Sequence, residues 1–219
     1  MRPAVSIIVP ARDEARRLDQ TLRALQGLGE IIVVDDCSRD DTAEVARALG
    51  ATVIARQDRP GKGRALQAGL GEASGEVVAF VDADLGDCAG EIVRLVDTVT
   101  SGHCDLAVAK VRTTGRGGLG TVVGLTRWLL RRMGVPPVTN PLSGQRAVTR
   151  RALPSLLPLS PGWGAEAAML VDGHRAGLVI REVPTSMVHR GTGWGWRGIT
   201  HRAYQCRDIL VALAARVRP

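Results

Sequence analysis

The chain has 219 residues, 45% of them hydrophobic and 23% charged, which suits one globular domain with a large core and excludes a disordered chain. Aromatic residues make up only 3%, so that core is expected to be built from Val, Leu, Ile and Ala. The net charge of +7 and an isoelectric point near 10.2 favour acidic partners: nucleoside diphosphates, phosphorylated acceptors, anionic lipid or nucleic acid.

The start, Met1-Arg2-Pro3, runs straight into the strand-like Ala4-Val5-Ser6-Ile7-Ile8-Val9 without the apolar region of a signal peptide. No stretch reaches the ~18 uninterrupted apolar residues of a membrane span. Cys37, Cys88, Cys104 and Cys206 lie far apart with no C-x-x-C spacing. That argues against a zinc site or disulfide framework and for small buried apolar residues in a reducing compartment. A soluble, cytoplasmic protein is the expectation.

Strand and helix patterns alternate through the first half, the sequence form of an α/β fold with a mostly parallel sheet flanked by helices. Ala4–Val9, Ile31–Val34, Thr52–Ala55, Val77–Val81 and Leu106–Lys110 read as strands, with helices over Ala15–Leu25, Thr42–Leu49, Gly63–Gly71 and Glu91–Thr100. Ser38-Arg39-Asp40-Asp41 has the form of a capping box with Ser38 as N-cap. The stretch Thr113–Gly120 is rich in glycine and polar residues and predicts a mobile loop. Beyond it the pattern gives a helix over Val122–Met133, an irregular Val135-Pro136-Pro137, a short strand near Gly144–Val148 and a helix from Arg150. A helix over Ala165–Arg175 and a strand over Val179–Val183 follow. The last segment, Ile199–Val217, sets Ile209, Leu210, Leu213 and Val217 at helical spacing against His201, Arg202, Arg207, Arg216 and Arg218. It reads either as a core-packed terminal helix or as a basic helix lying on an anionic membrane surface. No internal repeat or long linker divides the chain, so residues 1–219 are taken as a single domain.

Polar clusters follow four successive strands: Pro10-Ala11-Arg12-Asp13-Glu14, Asp35-Asp36-Cys37-Ser38, Pro60-Gly61-Lys62-Gly63 and Asp82-Ala83-Asp84. Singly, each reads equally as turn or helix-start chemistry. Four on one rim of one sheet point to a ligand at the carboxyl ends of the strands. Residues two apart on a strand point the same way, so Asp82 and Asp84 are expected to share a face and hold a hard divalent cation. The assembly inferred is a nucleoside diphosphate across the rim. Asp36, or Asp35 beside it, accepts from a base imide; the backbone of Pro10, Ala11 and Arg12 packs on the base; Glu14 takes a ribose hydroxyl. Lys62 brings a cation to base or diphosphate, Gly61 and Gly63 allow close approach, and Asp84 with a metal neutralises the pyrophosphate. No Walker motif and no G-x-G-x-x-G after the first strand are present.

Together these motifs resemble the family 2 type of glycosyltransferase with the GT-A fold. Asn140-Pro141-Leu142-Ser143-Gly144-Gln145-Arg146-Ala147, Gly162-Trp163-Gly164-Ala165-Glu166 and His189-Arg190 are similar to acceptor-side motifs of polyprenyl-phosphate sugar synthases and glucosyl-3-phosphoglycerate synthases. The resemblance implies transfer of a sugar from a nucleoside-diphosphate sugar, UDP-linked by preference, to a phosphorylated small molecule or a polyprenyl phosphate. It implies Mg²⁺ or Mn²⁺ held by Asp84 and His189, with Asp82 and Ala83 at the nucleotide and Arg190 lending charge to the leaving diphosphate. Glu166 either favours its helix dipole or faces the sugar and acceptor, and with Arg190 makes up the candidate catalytic pair. Leu142, Ser143 and Gly144 are the candidate acceptor residues, under a Gly115–Gly120 loop that closes on the donor. Residues 1–110 then form the nucleotide half, 111–198 the acceptor half and 199–219 a terminal helix with possible membrane contact. The rivals are a nucleotidyltransferase, disfavoured by the lack of glycine after strand one, and a basic binding protein for membrane or nucleic acid. Scarce aromatic platforms argue against a nucleic-acid partner.

Overall fold

The structure is a computed structural model that describes residues 4–114, 119–190 and 196–217; within these, the side chains of 112–114, 119, 188–190 and 196–202 are outside the description. Seven strands form one sheet in the order β3-β2-β1-β4-β6-β5-β7. They are β1 Val5–Ala11, β2 Glu30–Asp36, β3 Thr52–Arg56, β4 Val77–Phe80, β5 Leu106–Thr114, β6 Arg146–Thr149 and β7 Ile180–Arg190. Only β6 runs antiparallel to its neighbours, β4 and β5; the other pairs are parallel.

Helices cover both faces, so the middle strands β1 and β4 are mostly apolar and buried, as a parallel sheet requires. Along β1, Ile7 and Val9 pack into one layer and Ile8 into the other, the alternation that a pleated strand imposes. One layer is closed by α1 (Ala15–Leu25) and α4 (Ile92–Thr100), with α2 (Thr42–Ala48) at its margin. The other is closed by α3 (Lys62–Glu72), α5 (Leu119–Arg132), α6 (Ala165–Arg175) and α7 (Trp196–Ala214). In α1, Leu18, Thr21, Leu22 and Leu25 are the buried residues, a stripe with helical spacing.

The strand order reverses between β1 and β4, with β2 and β3 on one side and β4 on the other. At such a switch point the loops leaving the strands part and open a crevice at the carboxyl ends.

Several expectations are corrected. Ser38 does not cap α2: that helix starts at Thr42, with no side-chain cap bond from its N-cap residue Asp41. The Ser38 hydroxyl instead accepts the Asp13 N–H at 3.0 Å, Thr42 accepts from Glu14 N at 3.0 Å, and Asp40 accepts from Ala15 N at 3.2 Å. These bonds tie the β1–α1 loop to the β2–α2 loop. Thr113 and Thr114, expected in a loop, continue β5, where they pair with His189 and Arg190 of a β7 longer than expected. The pairing resumes after a register shift between Lys110 and Arg112. Pro184 is tolerated because β7 is an edge strand. The segment Arg150–Leu156 is a 3₁₀ helix containing Pro154, whose missing N–H opposes regular α-helical bonding.

Of the four free cysteines only Cys104 is buried. Among the described side chains of α7, Ile209, Ala212 and Leu213 are buried and Leu210 is exposed, as is Val217 beyond the end of the helix, so the apolar face is rotated from the one the spacing suggested. No helix among the described residues is long and apolar enough to cross a membrane.

Candidate active site

The crevice is built first by the ends of β2 and β3. Asp36 pairs with Arg56 in the parallel register, and its carboxylate accepts from the Arg56 guanidinium and from the Gly61 N–H at 2.7 Å. Arg56 also reaches Asp58 at 2.6 and 2.8 Å. Asp35 is used differently: its Oδ1 accepts the Ser38 N–H at 3.0 Å and shapes the turn. Of the two neighbouring acids, Asp36 is therefore the one aimed toward the loop that precedes α3. Arg56 was missed in the sequence; the signal was an arginine ending the strand beside β2.

A buried cluster stands beside it. Lys62, the first residue of α3, places Nζ 2.6 Å from Asp82 Oδ1 and 2.8 Å from Glu166 Oε1. Burial alone lowers a lysine's pKa, but here the charges of Asp82 and Glu166 outweigh it and hold the ammonium charged well above its ordinary range. Gln145 donates to the other Asp82 oxygen at 2.7 Å, and Ser143 donates to Gln145 at 3.2 Å. Arg146, fully buried, donates to the carbonyls of Ser143 at 3.0 Å and Pro141 at 2.8 Å. Burial pushes its pKa down to about 10, against the pull of Glu166 and Asp82. The Trp163 ring lies under Lys62, 5.8 Å from Nζ. Arg146 was not singled out from sequence, and nothing in its neighbours signals a buried cation. Glu166, open between two readings, faces inward at 4% exposure and joins the cluster.

The glycines at this point serve packing. A Cβ on Gly63 would sit 1.6 Å from the Ser160 carbonyl oxygen, and one on Gly144 would lie 2.6 Å from Lys62 Nζ and from both Asp82 oxygens. Gly144 and Ser143 are thus set directly on the ion cluster, with Leu142 half-buried next to them.

Asp82 and Asp84 do not share a strand face, because β4 ends at Phe80 and the acids fall in the following turn. Asp82 faces Lys62 and Gln145, while Asp84 lies near Glu14. The Glu14 carboxyl is held above its usual range by burial first and by the Asp84 charge second. Hard oxygen donors with surplus negative charge fit a divalent cation. Among the described residues no group of three or more His, Cys, Asp or Glu is close enough to hold a metal unaided.

The profile of "Glycosyl transferase family 2" matches residues 6–148. The chain belongs to that family. Its relatives include glucosyl-3-phosphoglycerate synthase of Mycobacterium tuberculosis, 32% identical over 203 residues that cover 77% of this chain and 60% of the relative. The same enzyme of Mycolicibacterium smegmatis is 32% identical over 97% of this chain and 77% of its own length. An uncharacterized glycosyltransferase of Mycobacterium bovis is 33% identical, covering 87% of this chain and 88% of the relative. The chain thus spans 60% of the first of these relatives. Among solved structures, the M. tuberculosis synthase with Mn²⁺, UDP and glucosyl-3-phosphoglycerate superposes with a TM-score of 0.84 at 32% identity, covering 98% of this chain and 80% of that one. The same synthase with Mn²⁺, UDP-glucose and phosphoglyceric acid gives 0.83.

In this family 2 chain the remaining candidates sit as follows. Pro10 and Ala11 end β1, and Arg12 and Glu14 occupy the loop before α1, which is hydrogen-bonded to the β2–α2 loop. Ala83 is buried between the two acids. His189 and Arg190 end β7; their side chains lie outside the described residues. So do residues 115–118 of the expected closing loop, while Leu119 and Gly120 open α5.

Proposed function

We propose that this chain transfers a glycosyl group from a nucleoside-diphosphate sugar, UDP-glucose being the favoured donor, to a hydroxyl of a small phosphorylated acid of the phosphoglycerate type. The reading is supported by the Mn²⁺, UDP, UDP-glucose, phosphoglyceric acid and glucosyl-3-phosphoglycerate bound in the solved relatives. The observation that carries it in this chain is Asp84, half-buried at the β1–β4 switch point with Glu14 as its acidic neighbour.

The nucleotide lies over Pro10, Ala11 and Arg12, with Asp36 toward the base and Glu14 toward the ribose. Asp82 and Ala83 line the diphosphate side, and Asp84 with His189 holds Mg²⁺ or Mn²⁺. Bound there, the cation neutralises charge on the departing diphosphate. Lys62, on the base and diphosphate side, is held by Asp82 and Glu166 and fixes the two acids in one geometry, with Glu166 set against the sugar. Leu142, Ser143 and Gly144 form the acceptor wall, and Arg190 adds positive charge where negative charge develops. Free thiols at all four cysteines fit a reducing compartment.

The test is UDP binding by calorimetry with Mn²⁺ and with EDTA, followed by transfer from UDP-glucose to phosphoglycerate. Asp84→Ala is expected to remove the Mn²⁺-dependent gain in affinity; UDP binding indifferent to both chelation and this substitution refutes the metal role. A lipid-phosphate acceptor is the second reading. It is favoured by Tyr204, Leu210 and Val211, which α7 leaves exposed beside Arg207. Co-sedimentation with anionic vesicles and glucosyl transfer to a polyprenyl phosphate support it; failure of both removes it.

A further inference from the structure

The turn that carries Asp84 is fastened from outside the D-A-D motif by one buried hydroxyl. Thr21 lies mid-way along α1 and is fully buried. A threonine inside a helix commonly returns its hydroxyl to the carbonyl four residues back. Here that carbonyl, of Arg17, is 3.4 Å away, whereas the carbonyl of Ala83 is 2.8 Å away and receives the proton. The same oxygen accepts the Gly86 N–H at 2.9 Å. One hydroxyl therefore bonds the residue before Asp84 and the residue two after it, and Gly86 adopts the left-handed φ of 59° that closes the turn. Leu18, Leu22 and Leu25, buried on the same helix, keep the clamp on a rigid element.

We infer that Thr21 is a positioning residue for cation-linked nucleotide binding. By satisfying the Ala83 carbonyl and the Gly86 N–H at once, it holds Asp84 in one orientation, so the carboxylate meets the cation without first having to be ordered. The inference rests on the role given to Asp84 above. Groups that orient a metal ligand typically contribute tenfold to a hundredfold to metal affinity, and Thr21, fully buried, acts through its bonds to the turn.

The experiment measures UDP affinity with Mn²⁺ and with EDTA for the full chain and for Thr21→Val, Thr21→Ala, Thr21→Ser and Asp84→Asn, each checked for a cooperative thermal melt. Thr21→Val and Thr21→Ala are expected to lose roughly tenfold or more of the Mn²⁺-dependent gain while keeping the affinity seen in EDTA. Thr21→Ser, which retains the oxygen, keeps the gain. Hydrogen exchange at the Gly86 amide, followed without metal, should accelerate in Thr21→Val and Thr21→Ala only. A wild-type gain in both hydroxyl-free variants, an equal loss with and without Mn²⁺, or unchanged Gly86 exchange overturns the inference. If Asp84→Asn keeps the full gain, or the native chain shows none, the metal reading itself fails; loss in Asp84→Asn with none in the Thr21 variants sinks Thr21 alone.

Discussion

Replacing Lys62 by Met removes the cation that stands between Asp82 and Glu166, and leaves two carboxylates no farther apart than its two ion-pair distances combined. At an effective dielectric near 20 and a separation of about 5 Å, two unit charges repel by about 3 kcal/mol. That repulsion corresponds to about 2 pH units on one of the pair. Arg146, the other buried cation that feels these acids, offsets part of it. In the variant one carboxyl is therefore expected to hold its proton to higher pH in the folded chain than in the unfolded one. A folded-state pKa raised above the unfolded one means the native form binds more protons between the two values, so stability falls as pH rises through that window. Below about pH 4 both states are protonated and the repulsion vanishes. In the native protein Lys62, held charged above its ordinary range by the two acids, stands between them. Melting of native and variant protein at pH 5 and pH 8 checks this, with the deficit widening by several degrees toward pH 8, at roughly 2–4 °C per kcal/mol for a chain of this size. The double variant Lys62→Met, Glu166→Gln should recover most of the difference. A deficit equal at both pH values refutes the reasoning, because lost packing alone carries no proton linkage.

Gly63→Ala and Gly71→Ala, both in α3, should act in opposite directions. The first drives a Cβ into the Ser160 carbonyl at 1.6 Å and is expected to cost 3 kcal/mol or more. The second meets nothing within 4 Å and should stabilise by roughly 0.5–1 kcal/mol, as removal of a helical glycine does; urea denaturation separates them. Cys104, buried, with its thiol pushed up to about 11 mainly by burial, should resist iodoacetamide at pH 8 in the folded chain and react only in denaturant. Half-buried Cys37, Cys88 and Cys206 should be labelled first, and peptide mapping reads the order.

The elements whose signal is local were legible. Helices α1 and α6 start and stop at Ala15–Leu25 and Ala165–Arg175, as the apolar spacing and flanking residues indicated, and β1, β4 and the middle of β2 are apolar runs buried in the sheet, whereas β3 at the edge is only partly covered. The elements set by distant partners were not. The far half of β7 exists because β5 continues to Thr114 and pairs with it. Ser38 has the sequence of a cap, yet its hydroxyl is taken by Asp13, a residue of another loop. The site divides in the same way. Each polar cluster could be placed on the rim from strand ends alone, but which acid meets which base could not, since Lys62 finds Glu166 only after β6 and α6 have folded against the first half.

The D-A-D motif shows what that division means for chemistry. Read as strand, its acids are equivalent and point one way; folded, they fall beyond the end of β4 and take up different company. Asp82 has one oxygen on Lys62 and the other on Gln145, so its charge is spent on a nearly closed network whose members neutralise one another. Asp84 has an acid, Glu14, as its near neighbour, and the turn that carries it is fastened by Thr21 at Ala83 and Gly86. Two carboxylates two residues apart are thus sorted by their surroundings, one compensated inside the protein and the other set beside a second acid. Lys62 and Gln145 make that asymmetry possible: they engage both oxygens of Asp82, whereas the neighbour of Asp84 is another acid.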